Sequence, residues 1–170
     1  MADHNLINTE DRQIKFPLSE VDWRHAYRLA CNNYWEPAGT KPDQGWIRAK
    51  VKGGTLRELS AHELDEMVDD EMAKWNTTDY FNKYCQIVKK EDAEKWAGAL
   101  KRVLESSDIP PDSPSEKDKE NLPNIKLHPK YNTWIVEGGM DSAEYFGGNK
   151  GKQKLSDFID FLRKGSFSIE

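Results

Sequence analysis

The run FGGNKGKQK at residues 146–154 sets three glycines, Gly147, Gly148 and Gly151, among three lysines, Lys150, Lys152 and Lys154. Phosphate sites use this combination, because backbone N–H groups wrap an oxyanion most easily where no Cβ intervenes and an ammonium can then neutralise it. The phosphate-loop template requires glycine, four residues, then Gly-Lys-Ser/Thr. With Gly151-Lys152 as its end, the chain would need glycine at 146 and a hydroxyl at 153, and it has Phe146 and Gln153. No G-x-G-x-x-G pattern occurs either. The run therefore reads as a bend between two helices: Gly147 serves as a left-handed C-cap, Gly148 and Gly151 keep the turn open, and the lysines are solvated. The alternative is an enzyme or small-ligand protein that binds an anionic group at Lys150, Gly151 and Lys152.

A second cluster is acidic. ELSAHELDEMVDDEM, residues 58–72, holds seven carboxylates and no Lys or Arg. Glu66 and Asp70, like Asp65 and Asp69, lie four apart, and such like-charge pairs cost a helix a few tenths of a kcal/mol each, roughly. A helix that tolerates this is either simply solvated or presents its charge to a basic partner. Glu63, Glu66, Asp69 and Asp70 are the candidate binding face. Trp35 and Trp46, at element ends, would add an aromatic recognition surface if exposed, as would Trp134. Trp23, Trp75 and Trp96 fall on core stripes.

No metal or cofactor is expected. Paired carboxylates could chelate magnesium, but no second carboxylate or histidine helix is marked as their complement. His4, His25, His62 and His128 have no zinc-ligand spacing to one another or to Cys31 and Cys85. His25 lies off the apolar stripe of its helix and reads as a surface residue. Cys31, on that stripe, reads as a small buried hydrophobe.

Trp23, Ala26, Tyr27, Ala30, Cys31 and Tyr34 mark one helical face, entered at Ser19 and stopped by Pro37 and Gly39 at about residue 35. WIRAKVK, residues 46–52, alternates Ile47, Ala49 and Val51 with Arg48, Lys50 and Lys52, which predicts a half-buried strand. Ser60 and Glu63 form a capping box, with Leu59 and Leu64 as staple, for a helix along Leu64, Met67, Val68, Met72 and Trp75. DYFNKYCQIV, residues 79–88, is compatible with a strand or a helical turn. A third helix spans about 91–105 on Ala93, Trp96, Ala97, Leu100 and Leu104. Residues 106–123, with four prolines and dense charge, read as a mobile loop. TWIV at 133–136 reads as a short strand, DSAE at 141–144 as a helix start, and Leu155, Phe158, Ile159 and Leu162 as the last helix, ending at Gly165. Phe167 and Ile169 suggest a terminal edge strand. The fold class is α+β, mainly α, with four principal helices and a few short strands. Residues 1–15 form a polar, flexible lead-in, and 16–170 one compact domain.

Composition narrows the function classes. A net charge of −5 disfavours nucleic acid and anionic membranes as partners. Residues 124–170 carry seven Lys/Arg and six Asp/Glu, so the preceding 123 residues hold a net −6. Two cysteines without a C-x-x-C spacing and no apolar N-terminal run point to a reduced, cytoplasmic setting.

Three stretches resemble small uncharacterised bacterial single-domain proteins. They are Trp23, Leu29-Ala30 and Trp35 to Thr40; Asp92-Ala93, Ala97 and Ala99-Leu100; and Phe158 to Phe161 with Gly165, Phe167 and Ile169. The resemblance implies a compact domain of bacterial or phage type and brings no activity and no catalytic residue. The expectation is a non-enzymatic binding protein, of inhibitor or immunity type, that meets a basic protein through its acidic helix and nearby aromatics.

Overall fold

The structure is a computed structural model and describes residues 3–40, 44–74, 79–81, 86–121, 123–127 and 134–170. Trp75, Cys85 and His128 lie outside the described residues, as does the Trp134 side chain. The elements in chain order are strands β1 (Asp3–Asn8) and β2 (Lys15–Ser19), helices α1 (Glu20–Cys31), α2 (Gln44–Gly53) and α3 (Ala61–Ala73), strand β3 (Ile87–Val88), helices α4 (Lys90–Glu105) and α5 (Glu116–Lys119), strands β4 (Asn124–Leu127) and β5 (Trp134–Glu137), helices α6 (Ser142–Tyr145) and α7 (Gly148–Leu162), and strand β6 (Phe167–Ile169). The class is α+β, mainly α, as its sequence suggests.

Four strands form an antiparallel sheet in the order β2-β1-β6-β3, and β4 pairs with β5 in a separate antiparallel ribbon. Two expectations change here. The lead-in at 1–15 contains a strand, whose Leu6 and Ile7 are buried. The terminal strand is not an edge, since β6 sits between β1 and β3 and buries Phe167, Ser168 and Ile169.

Helix α1 starts where Ser19 accepts the Asp22 backbone N–H. It is buried on more than one face, because Val21, Trp23, His25, Ala26, Tyr27, Leu29 and Ala30 are all covered. It ends at Cys31, earlier than expected, and the exposed Tyr34 takes a left-handed φ of 68°. Helices α1 and α7 pack on α4, and rings fill the space between them. Trp96 meets Trp23 edge-on at 5.2 Å between centroids, stacks on Trp35 at 4.4 Å and meets Phe158 edge-on at 5.3 Å. The proline-rich 106–123 segment sends Ile109 into this core and forms the turn of α5.

Residues 46–52 are helical, not extended. The pair Ile47 and Val51 fits both a two-residue and a four-residue period. Burial of Ile47 and partial burial of Val51, with Ala49 exposed, selects the helix. Helix α2 packs on α3, and Ile47, Leu64 and Val68 form a cluster separate from the main core, with Trp46, Val51, Leu59 and Met72 at its edge.

Candidate functional site

The capping box of α3 is complete: Ser60 Oγ accepts the Glu63 N–H at 3.2 Å, and Glu63 accepts the Ser60 N–H at 3.0 Å. Glu63 also pairs with Arg57 at 3.0 Å, and the Arg57 hydrogen bond, with those from Ser60, holds its carboxyl down to about 2. This residue is committed to the helix end and is not a free partner for another molecule. The basic residues of α2 reach across to α3 in the same way. Arg48 pairs with Asp65, and Lys50 with Glu71 at 3.2 Å, where Lys74 joins from α3's own end. Much of the acidity is therefore neutralised within the hairpin.

What remains is the face pointing away from Leu64 and Val68. Glu66, Asp69 and Asp70 are exposed there, at spacings of three and four residues. Glu66 meets the exposed His62 ring at 3.3 Å, and among the described residues Asp69 and Asp70 have no ion-pair partner. Met67 lies beside them, 41% exposed.

The two tryptophans of the expected aromatic surface part company. Trp35 is 3% exposed, and its indole N–H donates to Asp92 Oδ1 at 3.0 Å, so it belongs to the core and offers no recognition surface. Trp46 is half-buried against the hairpin's apolar cluster, with Lys50 Nζ 5.5 Å from its ring centroid.

The glycine-lysine run is a packing junction. Helix α7 begins at Gly148, so all three lysines lie on the helix and not ahead of it. The left-handed glycine is Gly148, φ 75°, while Gly147 has an ordinary φ of −60° and caps the start of α7. A Cβ at Gly151 would stand 2.3 Å from the Phe146 carbonyl oxygen, so the space beside it is filled by backbone. The Gly148 N–H already donates to the Pro110 carbonyl at 3.0 Å. Gly151 therefore leaves no cradle for an oxyanion.

Sequence reasoning missed a buried polar network between α1 and the α6–α7 junction. Asp22, 6% exposed, accepts from the Ser19 hydroxyl at 2.6 Å and from the Tyr145 hydroxyl and Lys154 Nζ at 2.9 Å each. Burial alone would raise its pKa, but these hydrogen bonds and the Lys154 charge hold it below the usual carboxylate value. His25, expected at the surface, is fully buried. Its ring stacks on Tyr145 at 3.9 Å and its Nδ1 lies 3.0 Å from Ser142 Oγ, which also accepts from Arg28 Nε at 2.7 Å. Burial first, then the Arg28 charge, pushes the imidazole down to about 4, so it is neutral near pH 7. Arg28 also donates to the Gly138 and Met140 carbonyls. A serine beside a histidine suggests nucleophilic chemistry, but Ser142 is 1% and His25 0% exposed, so no substrate reaches either. The network ties residues 138–145 to α1. Cys31, expected in the core, is exposed.

The chain matches no protein-family model, no curated protein and no solved structure. Among the described residues, no three His, Cys, Asp or Glu side chains converge as metal ligands. No helix there is long and apolar enough to cross a membrane.

Proposed function

We propose that this chain is a non-enzymatic, cytoplasmic binding protein, of inhibitor or immunity type, that recognises a basic protein surface through the outer face of α3. The observation that carries this reading is the charge left over once the hairpin has neutralised itself. Arg48, Lys50 and Arg57 engage Asp65, Glu71 and Glu63, and the carboxylates of Glu66, Asp69 and Asp70 stay together in solvent beside Met67. Like charges so placed repel one another, and a cationic partner relieves that repulsion while steering itself to the site. Met67 adds an unbranched, polarisable side chain that packs against varied surfaces. The inaccessibility of the Ser142–His25 pair supports binding over catalysis.

The test is a charge reversal, Glu66→Lys with Asp69→Lys and Asp70→Lys, in the full chain. A partner captured by the wild type is purified and its affinity measured for both proteins. A loss of at least about tenfold, about 1.4 kcal/mol, supports the reading, and unchanged affinity refutes it.

A further inference from the structure

A cleft of about 580 Å³ opens between the 113–119 segment and the α6–α7 junction. Its size falls in the range of small-molecule sites, roughly 300–1,000 Å³. Three lysines line it, Lys119 from α5 and Lys150 and Lys154 from one face of α7, with Glu116, Tyr145 and Ser113, and the Asp22 carboxylate stands behind the wall against Lys154 and Tyr145, so three cations face two carboxylates. Lys152, half a turn from its neighbours, does not line it. The cleft carries this positive lining on a chain whose net charge is −5.

The three lysines differ in what they already do. Lys154 is held at 2.9 Å from the buried Asp22 carboxylate, which fixes its ammonium at the cleft wall. Lys119 meets Glu116 at 3.5 Å in an exposed pair, worth little and easily exchanged for a stronger anion. Lys150 is exposed and has no partner among the described residues. We infer that this cleft binds a small molecule through a phosphate-class oxyanion, held by Lys119 and Lys150 across the gap and by the fixed Lys154. Gly147 and Gly151 also line the cleft, but the space a Cβ would take at each is filled by backbone, and the first N–H of α7 is bonded to Pro110, so the anion is held by the lysines. It stands independently of the α3 face.

The experiment is a thermal-shift titration of the full chain with inorganic pyrophosphate, against sodium chloride at matched ionic strength. At ten times the dissociation constant the expected rise is about 4 °C. Lys150→Ala with Lys119→Ala abolishes the rise, and Lys152→Ala keeps it. Both variants change exposed or half-exposed side chains, and isothermal calorimetry reads binding directly where melting is ambiguous. Three results would overturn the inference: no rise with pyrophosphate, an equal rise with chloride, or a loss through Lys152→Ala as large as that through the double variant.

Discussion

Around Trp96 four rings meet face and edge, those of Trp23, Tyr27, Trp35 and Phe158. Among the described residues, three carboxylates are buried in this body. Asp22 and Asp92 are each wrapped by three donors, those of Asp92 being the Trp35 indole, the Ala38 N–H and the Tyr80 hydroxyl, and Asp79 accepts the Phe81 N–H at 2.8 Å. In the α2–α3 hairpin the order is reversed. Three aliphatic side chains make the core, and the carboxylates stand outside, several of them paired with arginine, lysine or histidine. Asp22 and Asp92 are hydrogen-bonded on all sides and therefore structural, whereas on the hairpin the carboxylates of Asp69 and Asp70, with Glu66 against the exposed His62, take no part in joining α2 to α3.

The contrast predicts effects of graded size. Trp96→Ala removes the centre of the aromatic packing and costs about 4 kcal/mol, a large part of the stability of a typical domain, read as a collapse of the chemical denaturation midpoint. A loss near 1 kcal/mol would mean that the rings are loosely packed.

Acid acts next, through His25. Its folded pKa, about 4, lies below the unfolded value of 6.5, so the unfolded chain takes up a proton that the folded one refuses. Stability is thus full above pH 6.5 and falls as the pH drops from 6.5 towards 4, by about 2 kcal/mol at pH 5. Urea melts at pH 7 and pH 5 should show this loss in the wild type and a smaller one in His25→Gln. Equal slopes in the two proteins would show that the imidazole is not buried as described.

The smallest effect on the body comes from Ile47→Ala. Amide exchange in α2 and α3 should quicken while protection in α4 and α7 holds, because the two apolar clusters are separate. Equal loosening in both regions would make them one cooperative unit and dissolve the comparison.

How much of this was legible depends on distance along the chain. Local signals carried α3 and α4, since Ser60 and Glu63 sit three apart and the Ala93, Trp96, Ala97, Leu100 stripe is long enough to separate a helical from an extended period. Helix α2 offered only Ile47, Ala49 and Val51, too few positions for that separation. Strand β1 showed just Leu6 and Ile7 among polar residues, because its stability comes from pairing with β2 and with β6 at the other end of the chain. Of the candidate site, Glu66, Asp69 and Asp70 could be read as a face, but the neutralisation of Glu63 required Arg57 to fold back on it. The burial of Trp35 depended on Asp92, and that of His25 on Ser142 and Tyr145. These partners lie 57 to 120 residues away and leave no trace in local spacing.

The central claim is that binding resides in the carboxylates the hairpin does not consume. The most direct measurement is the affinity of a purified basic partner for the wild type and for the Glu66→Lys, Asp69→Lys, Asp70→Lys variant, each at low and high salt. The account predicts that affinity drops at least about tenfold in the variant and that its salt dependence flattens, with the melting temperature little changed. Equal affinity and equal salt dependence in the two proteins would contradict it.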